Sequence, residues 1–159
     1  MLTFIDEFSR KAWVYVLQDK AEVPKTTIQI LKYIKNNFQY KAKYFQTDNG
    51  KEYKNKKVEN YCKNNGIMKI YSPPYNPQNN GKAERFNYTI IDCAKTILNW
   101  SKLDIRFWDF AVMYATYLYN IITHKGIANR IPNEVFFNSK VNLKYVKTFG
   151  CIAYYKNFS

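Results

Sequence analysis

Ten residues near the middle of the chain, Ser72-Pro73-Pro74-Tyr75-Asn76-Pro77-Gln78-Asn79-Asn80-Gly81, can form neither a helix nor a central strand. A proline fixes φ and carries no backbone donor, so three prolines and a glycine in ten residues leave neither element its hydrogen-bond ladder. The segment must be a loop. It separates a region of alternating strand and helix signals from a region that reads as helices.

Upstream of the loop, residues 2–5 and 12–17 are rich in β-branched and aromatic side chains. They flank the turn-forming run Asp6-Glu7-Phe8-Ser9-Arg10, which predicts an antiparallel hairpin. Over residues 21–38 the apolar positions Ile28, Leu31, Ile34 and Phe38 recur at helical spacing, with Pro24 near the first turn, where it is tolerated. Residues 41–47 read as a strand that stops at Asp48-Asn49-Gly50, so a side chain at that strand end would face a cleft. Residues 58–65 read as a short helix closed by Gly66 in a left-handed conformation, and residues 67–71 as a further strand. Strand-helix-strand alternation implies parallel pairing. With the opening hairpin, the sheet is expected to be mixed and the class α/β.

Downstream, Ala83, Phe86, Ile90, Ala94, Ile97 and Leu98 make a helical stripe to about residue 100, with Glu84 at its N-terminal end. A second helix is expected over residues 107–122, too apolar to be a surface element on both faces. A short helix at 132–138 and a terminal extended segment at 149–155 complete the reading. No repeat, low-complexity tract or Gly/Ser linker interrupts the 159 residues, so a single domain is expected.

Charge narrows the function classes. The chain has 25 Lys+Arg against 12 Asp+Glu, a net charge of +13, which points to a polyanionic partner, nucleic acid first. Only Arg10, Arg85, Arg106 and Arg130 are arginines, and a lysine-, asparagine- and tyrosine-rich chain is also what AT-rich coding yields. Charge alone therefore does not settle function. At 47% hydrophobic residues the chain can bury a core, which excludes a wholly disordered protein. Cys62, Cys93 and Cys151 match no zinc-ligand spacing, and the single His124 cannot complete one, so free thiols are expected. No apolar run approaches the roughly 20 residues that span a bilayer, and no signal-peptide pattern opens the chain. A soluble, intracellular protein without a membrane partner is expected.

The chemistry-bearing candidates are Asp48, closing one strand, and Glu84, opening one helix, with 35 residues between them. Taken alone, either has a structural use: Asp48 can stabilise its own turn, and Glu84 suits the positive end of its helix dipole. Their flanks are more specific. Thr47-Asp48-Asn49-Gly50 and then Pro74-Tyr75-Asn76-Pro77-Gln78-Asn79-Asn80-Gly81-Lys82-Ala83-Glu84-Arg85-Phe86-Asn87 resemble the TDNG and PYxPQxNGxAERxN segments of copia-type retrotransposon integrases. Phe4-Ile5-Asp6-Glu7-Phe8-Ser9-Arg10 with Trp13-Val14-Tyr15, Phe107-Trp108 with Ala115-Thr116-Tyr117-Leu118, and Thr148-Phe149-Gly150-Cys151 agree in order. The likeness covers residues 2–155.

The resemblance implies a ribonuclease H-like fold with extra C-terminal helices and a DDE polynucleotidyl transferase, in which two Asp and one Glu hold two Mg²⁺ or Mn²⁺ ions. Asp48 would be the second carboxylate and Glu84 the third. One ion activates a water or a DNA 3′-hydroxyl while the other stabilises the leaving oxygen, giving 3′-end processing and strand transfer. In the family the first Asp sits on a central first strand upstream of the segment matching residues 2–17, so that strand is expected to be missing. Asp6 is the obvious substitute, yet its FIDEFSR context matches a family position outside the triad. Losing a central strand forfeits ladder hydrogen bonds worth about as much as a whole domain's stability, so poor folding or edge aggregation is expected of the isolated chain.

The same likeness implies element ends and target DNA as partners, homo-oligomers on DNA, and a nuclear location. DNA-contact candidates are Asn49, Lys51, Lys54, Lys56 and Lys57 after the Asp48 turn, and Asn80, Lys82, Arg85 and Asn87 beside Glu84. The lysine cluster also reads as an ordinary solvated surface. Asn80 and Gly81 resemble the hinge of a catalytic loop spanning Tyr75, Asn76, Pro77, Gln78 and Asn79, or form a helix-entry turn only. Tyr75 either stacks on a base or anchors the loop. Against the enzyme stand two other readings: a basic nucleic-acid-binding remnant or domesticated fragment without catalysis, and a structural piece that works only inside a larger assembly.

Overall fold

The computed structural model describes residues 1–38, 40–48, 50, 52–72 and 81–156. They divide into two compact units. One comprises Met1, Thr3–Tyr15 and Ala83 onward; the other comprises Leu2 and Val16–Lys82.

In the first unit, β1 (Leu2–Ile5) pairs with β2 (Ala12–Tyr15), and a link of six residues cannot cross over, so the pair is an antiparallel hairpin, as expected. The turn is built by Asp6. Its Oδ2 accepts from the Ser9 N–H at 2.8 Å and the Ser9 hydroxyl at 2.6 Å, while its own N–H donates to Lys11 O at 2.8 Å. These bonds hold Arg10 at φ 61, a left-handed conformation unfavourable for a residue with a Cβ.

Helix α3 (Gly81–Ser101) buries Phe86, Ile90, Ala94 and Leu98, the i, i+4 stripe its periodicity predicts. These side chains form one cluster with Ala12 of β2 and with Ala111, Val112 and Ala115 of α4 (Trp108–Ile121). The opposite face of α4 exposes Phe110, Met113 and Tyr117, so this apolar helix does meet solvent along one side. Helix α5 (Pro132–Phe137) starts on a proline, where the missing donor costs nothing, and Trp13 meets Phe136 edge-on at 5.4 Å. Residues 149–155 form no strand, and Ile152, Tyr154 and Tyr155 are exposed.

In the second unit, α1 (Val23–Phe38) packs on α2 (Lys56–Asn64), which lies against β4 (Met68–Tyr71). The buried face of α1 is Val23, Thr26, Thr27, Ile30 and Leu31, rotated from the expected stripe of Ile28, Leu31, Ile34 and Phe38. Two threonines carry buried positions that a hydropathy pattern assigns to solvent. Asn55 caps α2 by accepting from Lys57 N–H at 2.9 Å, and Gly66 at φ 65 closes it, as predicted.

Strand β3 (Tyr44–Thr47) pairs in parallel with β4, Tyr44 opposite Met68 and Thr47 opposite Tyr71. The mixed α/β character is present as one antiparallel and one parallel pair. No described helix is long and apolar enough to cross a membrane. All three cysteines are free thiols.

Candidate active site and nucleic-acid face

Strand alternation delivers Asp48. Phe45 and Thr47 point inward and Tyr44 and Gln46 outward, so the next residue on the outward side, Asp48, emerges exposed just beyond the carboxyl end of β3. Ligand sites of parallel α/β sheets lie beyond the carboxyl ends of the strands, because there the loops and unpaired backbone groups converge. Ser72 N–H donates to Thr47 O at 2.9 Å, tying the end of β4 to the end of β3.

Asp48 Oδ1 accepts from Gly50 N–H at 3.0 Å. A methyl group at Gly50 would lie 2.9 Å from Glu52 Oε2 and 3.0 Å from Asp48 Oδ1, so glycine keeps open the space that two carboxylates enclose. Glu52 was absent from the candidates read in the sequence, because nothing local announces that the turn curls it back. Tyr53 and Lys54 N–H both donate to Gly50 O, at 3.1 and 3.3 Å. Burial, then the charges of Asp48 and Glu52, push the Tyr53 phenol up to about 12, so it stays protonated beside the acids at neutral pH. Asp48 and Glu52 offer hard oxygen donors of the kind Mg²⁺ or Mn²⁺ takes. Among the described residues no three His, Cys, Asp or Glu gather as a metal site.

Lys54, Lys56 and Lys57 are exposed, and the last two occupy the first turn of α2. Cations at the positive end of a helix dipole do not favour the helix, so these two lysines do not stabilise α2 through its dipole. Lys54 Nζ lies 5.7 Å from the centre of the Tyr71 ring.

Glu84 is exposed in the first turn of α3, and its neighbours Lys82 and Arg85 are exposed with it. Asn87 has a structural partner: its Oδ1 accepts from the Thr3 hydroxyl at 2.7 Å, tying α3 to β1. Among the described residues nothing lies within 4 Å of where a Gly81 Cβ would stand. Asp6 is committed to the hairpin turn, which gives it a structural purpose apart from metal binding. Asp48 lies in the Val16–Lys82 unit and Glu84 in the other. Asn49, Lys51, Tyr75, Asn76, Pro77, Gln78, Asn79 and Asn80 lie outside the described residues.

Residues 1–77 match the family model described as integrase core domain. The chain is 38% identical over 153 residues to the retrovirus-related Pol polyprotein from transposon TNT 1-94 of Nicotiana tabacum, spanning 96% of this chain and 12% of that protein. It is 30% identical over 151 residues to the corresponding polyprotein from transposon RE1 of Arabidopsis thaliana, spanning 95% of this chain and 10% of that one. Among solved structures, the catalytic core domain of BIV integrase superposes with a TM-score of 0.63 at 24% identity, covering 84% of this chain and 82% of that chain. The HTLV-2 integrase catalytic core domain in complex with magnesium, in a trimeric form, gives 0.64 at 19% identity over the same shares, 84% and 82%. A chain of the simian T-cell lymphotropic virus intasome in complex with PP2A regulatory subunit B56 gamma gives 0.66 at 19%, covering 98% of this chain and 51% of that one. The chain therefore has the α/β fold of integrase catalytic cores, of the ribonuclease H-like kind; residues 1–77 match the integrase core domain model, and nearly the whole chain is similar to about a tenth of the length of retrovirus-related Pol polyproteins of plant transposons.

Proposed function

We propose that the chain is the DNA-joining core of a retrotransposon integrase, binding element ends and target DNA and carrying out 3′-end processing and strand transfer as part of a larger protein. The observation that carries this reading is Asp48: an exposed carboxylate beyond the carboxyl end of a parallel strand, oriented by Gly50, with basic residues on the turn and helix that follow. Asp48 and Glu84 would hold the Mg²⁺ or Mn²⁺, which when bound activates a water or 3′-hydroxyl and stabilises the leaving oxygen. Lys54, Lys56 and Lys57 neutralise DNA phosphates, as do Lys82 and Arg85 beside Glu84. Tyr53 remains a hydrogen-bond donor beside the acids. Assembly as a homo-oligomer on DNA and a nuclear location belong to the same reading; the intasome and trimeric neighbours support the assembly.

One observation favours a second reading, nucleic-acid binding without catalysis: Asp6, the nearest substitute for the first acid, is engaged in its hairpin turn. Asp48→Asn separates the two. Metal-dependent strand transfer should vanish in the variant, while salt-sensitive DNA binding is kept or strengthened because a negative charge has gone. Absence of any metal-dependent activity in the unsubstituted protein would leave the second reading standing.

A further inference from the structure

The carbonyl of Tyr53, in the turn that follows Asp48, is taken by a side chain from the neighbouring strand. Lys69 of β4 donates from Nζ to Tyr53 O at 2.5 Å, stands 4.0 Å from Glu59 Oε1, and lies 4.8 Å from the centre of the Tyr71 ring. The Tyr71 hydroxyl in turn donates to the same Glu59 oxygen at 3.3 Å. Lys69 and Tyr71 sit two apart on the less exposed face of β4, and only 9% of the Lys69 side chain is exposed. An ammonium withdrawn from water to this degree costs stability unless its partners compensate, and an apolar side chain would fill the position with less penalty. The charge is therefore best explained by what it holds.

What it holds leads to Asp48 through three hydrogen bonds joined by the backbone of Tyr53 and Gly50. Lys69 fixes the Tyr53 carbonyl, Tyr53 and Lys54 N–H converge on Gly50 O, and Gly50 N–H binds Asp48 Oδ1. Lys54 shares the Tyr71 ring with Lys69. We infer that Lys69 is the positioning residue of the Asp48 turn: by clamping Tyr53 it sets the direction of the Asp48 carboxylate and presents Lys54 to a phosphate. The second half of this statement rests on the nucleic-acid reading above; the first half does not.

The test compares Lys69→Met, which keeps the stem and loses the charge, with Lys69→Arg, which keeps a donor and a charge. Amide hydrogen exchange of the chain should quicken about tenfold or more at Gly50, Tyr53 and Lys54 in Lys69→Met. Amides of α1, β3 and β4 should change less than about twofold, and Lys69→Arg should restore the turn. Glu59→Gln, which leaves the ammonium without its carboxylate, should give the same local pattern at smaller amplitude. For a short DNA duplex, Lys69→Met should weaken binding about 3–10-fold in the wild-type background and not at all in a Lys54→Met background. Exchange that quickens evenly through both strands, failure of arginine to rescue, or additive losses with Lys54→Met would overturn the inference. If the unsubstituted chain binds no duplex DNA, the nucleic-acid reading fails, and the exchange pattern still decides what Lys69 does to the turn.

Discussion

The carboxamide of Asn120 serves Ala12 as a strand partner would: its Oδ1 accepts from Ala12 N–H at 2.9 Å and its Nδ2 donates to Ala12 O at 2.8 Å. Both residues are buried, 108 positions apart in the chain, and the pair joins α4 to β2. Buried backbone groups must be paired somewhere, and here a helix side chain satisfies both groups of one residue on a short hairpin.

Asn120→Leu, close to isosteric, strands both Ala12 groups and should cost about 2–4 kcal/mol. Denaturant unfolding should show a lower midpoint with an unchanged slope. A loss under about 1 kcal/mol would mean that water or a shifted strand satisfies Ala12 instead.

Lys11 gives the fold a pH signature. Its Nζ donates to Asn133 Oδ1 at 2.6 Å and lies 4.8, 5.3 and 5.8 Å from the ring centres of Phe137, Trp13 and Phe136. Burial lowers its pKa from 10.5 to about 8. Between those values the unfolded chain binds more protons than the folded one, so this group makes stability rise with pH across the window and adds no slope below it. After discounting for solvent screening and for the rings, which favour the charged form, the rise should be about 1–2 kcal/mol. Burial raises the thiols of Cys62 and Cys93 from 9.0, which makes stability fall as pH climbs past that value. Subtracting the pH profile of Tm for Lys11→Met from that of wild type removes the thiol contribution, and a flat difference from pH 8 to 10 would refute the assignment.

Two glycines should respond in opposite directions. Gly150 has φ +78, and a Cβ there would meet Ser101 Cβ at 2.8 Å, so Gly150→Ala should destabilise by about 2–3 kcal/mol. Gly81 opens α3, and among the described residues none would meet a Cβ there, so Gly81→Ala should stabilise by up to ~1 kcal/mol. If Gly81 is also the hinge of a catalytic loop, that same alanine lowers strand transfer while raising Tm; if it is a helix-entry turn only, activity is unchanged.

The lysines after the Asp48 turn should appear in the salt dependence of DNA binding. Replacing Lys54, Lys56 and Lys57 together by Met should reduce the slope of log K against log salt by about 2–3, roughly 0.9 for each phosphate that is no longer neutralised. A slope within error of wild type would assign these lysines to ordinary solvated surface.

Whatever depends on neighbours in sequence could be read from the chain itself: the α3 stripe of Phe86, Ile90, Ala94 and Leu98, the left-handed Gly66, the hairpin around Asp6, and Asp48 at a strand end. Periodicity and turn chemistry are local, so they survive without a partner. What needed the tertiary structure is everything whose partner is distant or curls back: the two buried threonines of α1, the return of Glu52 toward Asp48, the Asn120–Ala12 pair, and the clamp of Lys69 on Tyr53. A polar side chain in a sequence looks solvated, and only its burial beside a specific backbone group reveals that it holds the fold together.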